Sequence, residues 1–332
     1  MNMLRASLIL LTSLLLSFAV AGNLLAAEPL TELRDVEVKI VFLDVDEVNN
    51  VAQTFTANLA MAIRWQDHSL AHQGPDSISK PLDEIWYPSI QFLNQQRIVA
   101  TFPRMAEVFP DGTVIYRQRY WGNFSQPLEL KSFPFDAQKL TLTLANVGFG
   151  MRSIRLLPSP DSGISEKFSM PDWTVTEWDF AAVDLPIEEN NAPVKGMVFS
   201  LDVKRDTSYF KYKVIFPLVL IVMMSWMVFW IDPSLVATQI SVSVTAMLTL
   251  IAYRFALAGL IPRLAFLTSL DFFVLVSTLA VFISMIEVLY TAHLATSDQL
   301  KKARQIDRHA RWVLPLIFVG LAVETLYLRL WI

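Results

Sequence analysis

The 332-residue chain is 54% hydrophobic and 17% charged, with a formal net charge of −4 and no cysteine. The charges are segregated: residues 28–213 hold 43 of the 58, and residues 214–292 hold five. That division excludes a wholly soluble enzyme, the missing cysteines exclude disulfides, thiol nucleophiles and cysteine-bound metal, and the negative net charge with no basic patch mixed with aromatics in the soluble half disfavours a nucleic-acid partner.

In chain order, Arg5 precedes a short apolar run, Ser7–Ala21, that flows into small residues. Residues 1–27 therefore read as a secretory signal peptide, and residues 28–208 as an exported domain. Six stretches of that domain are alternating or β-branched: Val36–Val45, Thr54–Trp65, Thr113–Tyr120, Lys139–Leu144, Trp173–Val183 and Gly196–Val203. Turn signals such as Pro110-Asp-Gly112 and Glu189-Asn-Asn191 separate them, so a β-sandwich is predicted. His68 and His72 are four apart, but in a stretch read as strand end and loop that spacing gives no shared face. No metal site and no cofactor are predicted.

Residues 209–332 are predicted to form a four-helix membrane bundle, with spans at about 214–231, 235–257, 266–290 and 312–330. Lys301, Lys302, Arg304, Arg308 and Arg311 fall between the third and fourth spans, and short basic connections stay in the cytoplasm. The β domain and the C-terminus then lie outside. The second span differs from the others. Ser241, Thr245, Leu248, Ala252 and Phe255 share one helical face, hydroxyl-bearing at the cytoplasmic end and apolar at the outer end. Hydroxyls can replace part of an ion's water shell and an apolar ring can close a pore by dewetting. The same groups can also serve helix packing. One helix cannot line a pore, so the pore reading demands a ring of identical subunits.

The sequence resembles the pentameric ligand-gated ion channels, and specifically their bacterial members. Trp65-Gln-Asp67-His-Ser-Leu70, Trp86-Tyr-Pro88 with Asn94, Phe133-Pro-Phe-Asp136, Ser225-Trp-Met-Val-Phe-Trp230, Leu260-Ile-Pro262, Ser269-Leu-Asp271 and Glu287 occur in the family's order. Gln126 and Leu140 stand where the family's animal members carry the cysteines of their signature loop, so that loop is unbridged. The resemblance implies a homopentamer in a bacterial inner membrane, its β domain periplasmic. It implies an agonist, a small molecule or an ion of unknown identity, at subunit interfaces, and permeant inorganic ions as the cargo. It implies that Phe133, Pro134, Phe135 and Asp136 meet Arg205 and Pro262 at the membrane surface and couple binding to gating. Ligand contacts are expected among Leu93, Tyr116, Arg119 and Phe149. The loop Leu185–Lys195 has no aromatic residue, which argues against a familiar amine transmitter.

Charge selectivity is read from two terms. The stretch Ala237-Thr238-Gln239 at the inner mouth is neutral, whereas residues 28–213 carry 25 acidic and 18 basic groups, and Asp232 precedes the second span. A negative vestibule concentrates cations, so a channel for monovalent cations is expected. An anion channel of the same family and a pore-less membrane sensor are the alternatives. An intramembrane enzyme is disfavoured, because Glu287 and Glu324 have no histidine or second carboxylate at helical spacing.

Overall fold

The structure is a computed structural model and describes residues 33–147, 154–189, 192–257 and 264–325. The expected signal peptide, Phe149 and Pro262 lie outside the described residues.

Twelve strands are described before the first membrane helix: β1 Arg34–Asn49, β2 Thr54–Gln66, β3 Ile78–Pro81, β4 Ile90–Phe92, β5 Gln95–Ala100, β6 Met105–Val108, β7 Thr113–Ser125, β8 Ala137–Asn146, β9 Ile154–Pro158, β10 Gly163–Ile164, β11 Trp173–Glu189 and β12 Ala192–Arg205. One sheet runs β10-β1-β2-β7-β6-β3, with β5 also on β7 and β9 on β1. The other runs β11-β12-β8-β4. All six predicted stretches fall inside strands.

Period-two alternation builds the layer between the sheets. Leu140, Leu142 and Leu144 of β8 and Phe199 and Leu201 of β12 are fully buried, as are Ile40 and Phe42 of β1. The rings of Phe42 and Phe199 meet across the layer with centroids 5.0 Å apart. Each such side chain contributes about 1.5–3 kcal/mol of burial. In the Pro110-Asp-Gly112 turn, Gly112 adopts φ +82°, and its N–H donates to the Phe109 carbonyl at 2.9 Å. A Cβ at that position would also stand 2.6 Å from the Asp67 carbonyl oxygen, so only glycine fits.

Two residues after β12 the chain becomes helical: α1 Ser208–Trp230, α2 Val236–Leu257, α3 Ser269–Thr296 and α4 Leu300–Val323. Pro217 in α1 has no N–H for the carbonyl one turn back. A π-turn at Lys211–Ile215 precedes it, and the Tyr253 hydroxyl of α2 donates to the Val214 carbonyl at 2.8 Å and to that of Lys213 at 3.3 Å. The carbonyls that proline disturbs are thus satisfied by the neighbouring helix. Thr268 and Asp271 cap α3 reciprocally: the Asp271 N–H donates to Thr268 Oγ1 at 3.1 Å and the Thr268 N–H donates to Asp271 Oδ2 at 3.0 Å.

Two boundaries differ from expectation. The third helix starts at Ser269 rather than near 266, where its cap sits. The link between α3 and α4 is only Ser297–Gln299, so Lys301, Lys302, Arg304, Arg308 and Arg311 ride on α4 instead of forming a loop. The predicted fourth span therefore covers only the later part of a longer helix. Among the described residues α1, α2 and α3 are long and apolar enough to cross a membrane; α4 is not one of these.

Candidate functional site: pore helix and coupling zone

The apolar stretch of α2 is 22% buried within the chain, against 39% for α1 and α3. One side packs on its neighbours: Gln239, Ser243, Ala246, Leu250 and Leu257 are buried. The other is uncovered. Ser241, Thr245, Leu248, Ala252 and Phe255 are all exposed, with Leu248 at 61% and Phe255 at 78%. Thr245 Oγ1 donates to the Ser241 carbonyl at 2.8 Å, and Thr249 Oγ1 to the Thr245 carbonyl at 2.8 Å. These intrahelical bonds hold the Thr245 and Thr249 hydroxyls against the helix backbone. Val244 is exposed as well, so the uncovered face is broader than the five-residue stripe.

At the inner end of α2, Ala237 and Thr238 are exposed, but Gln239 is fully buried. Its Nε2 donates to the Ile231 carbonyl at 2.9 Å and to Asp307 Oδ2 at 3.1 Å. Gln239 is thereby removed from the expected selectivity group: its amide is needed to tie α2 to α4. Asp232 does not offer a free negative charge either. Bonds from Ser234 and then from Arg304 hold its carboxyl down to about 2. Arg304 donates to it through Nε at 2.9 Å and Nη2 at 3.3 Å. Arg254 is the single charged residue of α2, and it is basic.

Among the described residues, those expected to couple binding to gating come together. Arg205, the last residue of β12, donates to Asp136 through Nε at 2.7 Å and Nη2 at 3.0 Å. The two side chains are 5% and 1% exposed. Sequence reasoning missed the rest of this centre. Asn50 Oδ1 accepts from Arg205 Nη2 at 2.9 Å, and Gln138 donates to Asp136 Oδ2 at 2.6 Å. The guanidinium lies 4.1 Å from the Trp173 ring and 4.9 Å from Phe133. Asn50 and Trp173 are far from both partners in sequence, and no spacing signalled them.

The loop before Asp136 reaches the membrane helices directly. The Ser269 and Leu270 N–H groups at the start of α3 donate to the Lys131 and Phe133 carbonyls at 3.0 and 3.1 Å. Those are orphan donors of a helix N-terminus, so the loop serves as part of the cap. Phe133 is fully buried and packs edge-on to Phe210 of α1 with centroids 4.9 Å apart; its peptide bond to Pro134 is cis. Phe135 sits under the Lys211 ammonium at 5.9 Å.

Among the described residues, the expected ligand contacts do not share one face of a single chain. Tyr116 and Arg119 are an odd number apart on β7 and point to opposite faces. Tyr116 is buried in the sandwich core, where its hydroxyl accepts from Gln118 Nε2 at 3.0 Å. Arg119 is exposed, its Nε donating to Asn58 Oδ1 at 2.9 Å. Leu93 is exposed at the β4–β5 turn. Beside Arg119, burial and then Asp46 raise the Asp44 carboxyl above its usual range. His72 is held locally: its ring nitrogens meet the Val108 carbonyl at 3.3 Å and the Gly74 N–H at 3.2 Å.

Comparison with known proteins adds an independent line. Residues 26–207 match the neurotransmitter-gated ion-channel ligand binding domain, and residues 214–299 match the neurotransmitter-gated ion-channel transmembrane region. Among curated relatives, the gamma-aminobutyric acid receptor subunit rho-2 of Homo sapiens is 25% identical over 282 residues, covering 81% of this chain and 60% of the relative. The gamma-aminobutyric acid receptor subunit beta-4 of Gallus gallus is 24% identical over 288 residues, covering 82% of this chain and 59% of the relative. The chain thus spans about 60% of the length of the curated relatives it matches. Both relatives are vertebrate, and they lend no support to a specifically bacterial origin. They also overturn the expected cation preference, because these receptor subunits are anion- rather than cation-selective. The physical error lay in counting charge over a whole domain and in treating Asp232 as unpaired. With a ligand-binding β domain and a membrane bundle both matched, the chain belongs to the neurotransmitter-gated ion-channel family, whose members are multi-pass membrane proteins and not enzymes.

Proposed function

We propose that five copies of this chain form a ligand-gated channel that passes anions through a pore lined by α2. The observation that carries the reading is the uncovered face of α2. Ser241, Thr245, Leu248, Ala252 and Phe255 line up on a membrane helix whose opposite side is packed. A hydroxyl row has no use against lipid, and around an axis it makes a filter, with the bulky apolar side chains beyond it as a gate. A head-to-tail ring supplies the axis and covers the remaining flanks. Anion passage is supported by the relatives, by the pairing of Asp232 with Arg304, and by Arg254 as the sole charge on α2.

The agonist binds between neighbouring β domains, and the Asp136–Arg205 centre carries the change to α3 through the Lys131 and Phe133 carbonyls. Gamma-aminobutyric acid, which names the relatives, is the first compound to screen. The cysteine-free loop and the three-residue α3–α4 link support a place among the bacterial members, with the β domain periplasmic.

The test does not need the agonist. Leu248→Thr hydrates the gate and produces a standing current in proteoliposomes fused to a planar bilayer. Under a tenfold NaCl gradient the reversal potential is expected near the chloride value. A reversal near the sodium value refutes anion selectivity, and absence of any current in the variant refutes the pore assignment.

A further inference from the structure

Three helices meet in the cytoplasmic half of the bundle with more hydrogen-bond acceptors than donors. Gln239 of α2 is fully buried and Asp307 of α4 is 1% exposed. Gln239 spends both amide hydrogens, on the Ile231 carbonyl and on Asp307 Oδ2. Gln239 Oε1, Asp307 Oδ1 and both carboxyl oxygens of Glu287 on α3 are buried with no donor. The Glu287 and Asp307 carboxyls lie within hydrogen-bonding reach of one another.

Two ionised carboxylates at that separation in an apolar bundle repel, and neither can donate. A single proton converts the contact into a charge-assisted O–H···O bond. The charge count agrees. Arg311 is the cation that faces Asp307. Its Nε donates to the Phe229 carbonyl at 2.7 Å and its guanidinium lies 5.6 Å from the Trp230 ring. One arginine offsets one carboxylate; one proton neutralises the other.

We propose that Glu287 and Asp307 share one proton, and that this proton latches α3 to α4 and, through Gln239, to the inner end of the pore helix, so that the channel responds to cytoplasmic pH. The remaining charged groups near the pair are accounted for. Asp232 acts on Asp307 from the α1–α2 link and is itself paired with Arg304. Glu287 borders a cavity of about 570 Å³ between α3 and α4, whose polar rim is Lys302, Gln305 and His309. His293 lies nearly two turns beyond Glu287 on α3 and is exposed. The cavity gives a proton its path, and His309 is the competing titratable group on that path. The native bundle holds a proton that an unfolded carboxyl has already released above roughly pH 4, so its stability falls as pH rises from there until the native pair gives the proton up.

The experiment uses the full chain in detergent and has two readouts: the infrared carbonyl stretch of a protonated carboxyl, and the thermal unfolding midpoint between pH 6 and pH 9. The wild type is expected to show the band at neutral pH and to lose it, with a falling midpoint, as pH rises. Glu287→Gln and Asp307→Asn each supply an amide donor in place of the proton, so each removes the band and flattens the pH dependence. If one variant does not fold, the other carries the test. His309→Gln is expected to keep both signals. A band that survives in both carboxyl variants, or a wild-type midpoint independent of pH, overturns the proposal. So does a midpoint that sodium raises over N-methylglucamine in the wild type but not in Glu287→Gln, which would make the occupant a metal cation. None of these readouts depends on ion conduction.

Discussion

Replacing Arg205 with alanine tests the coupling centre most directly. The substitution removes two bonds to Asp136, one to Asn50 and two cation–ring contacts, and it strands a carboxylate that is 1% exposed. Removing one partner of a buried ion pair costs about 3–5 kcal/mol. The exposed pair Lys139–Asp202, at 3.5 Å, is the internal control, and an exposed pair is worth about 0–1 kcal/mol. Hydrogen exchange on the detergent-solubilised full chain reads the local cost, through the amides of Arg205, Ser269 and Leu270 that bond to Asp136, Lys131 and Phe133. With about 1.4 kcal/mol per tenfold, those amides should exchange roughly 10²–10³-fold faster in Arg205→Ala. Lys139→Ala should change them by less than about fivefold. The double variant Arg205→Ala/Asp136→Ala should be less damaged than the sum of the singles, because no charge is left stranded. Additive effects, or an Arg205→Ala change no larger than that of Lys139→Ala, would refute the idea that this pair holds the β domain on α3.

Cysteines at Ser241 and Thr245 should react quickly with small charged thiol reagents, while cysteines at the buried Ser243 and Ala246 stay slow; equal rates at all four would exclude a single aqueous face. Leu248→Thr should move half-activation toward lower agonist by about tenfold or more, equivalent to about 1.4 kcal/mol of gate stabilisation lost, and dose–response curves decide it. The Asp232 carboxyl is held down to about 2 against an ordinary 3.8, so its contacts are fully present above pH 4 and are lost as pH falls through about 2. Isotope-edited infrared titration should find its pKa raised in Ser234→Ala, and raised again when Arg304→Gln is added; a value unmoved by both would contradict the assigned contacts.

Much of the architecture was legible because its periodicities are long. β2, β7, β8 and β12 alternate over ten or more residues, and the stripe on α2 repeats over four turns. β3, β4, β6 and β10 have two to four residues each, too few to show a period, and they depend on neighbours for pairing. The start of α3 was written in Thr268 and Asp271, whose spacing is that of a capping box, yet an apolar Phe266–Leu267 pulled the expected boundary outward. The basic run within residues 293–311 reads as a connection between spans, although charges on one face are ordinary for a helix that leaves the membrane. The Asp136–Arg205 pair came from motif resemblance, and nothing local could have added Asn50 or Trp173. Selectivity failed for a different reason. A carboxylate's effect depends on its partner, and the partner of Asp232 lies 72 residues further along the chain.

The three-residue link Ser297–Gln299 also bears on how the protein is made. Asp298 turns the backbone there with φ +59°, and α4 must lie antiparallel against α3. On its own α4 is a poor candidate for insertion, since each Asp, Lys or Arg near the middle of a span costs about 2.5–3.5 kcal/mol. α3 carries only Asp271 and Glu287 as acidic or basic charges in 28 residues and is tied to α4 by a link too short to let the two part. The pair is therefore expected to enter the bilayer as a hairpin, with α3 carrying α4 across. Lengthening the link with a flexible Gly/Ser segment should leave the packing of inserted chains intact yet lower the yield of membrane-inserted protein, a defect of biogenesis and not of the channel.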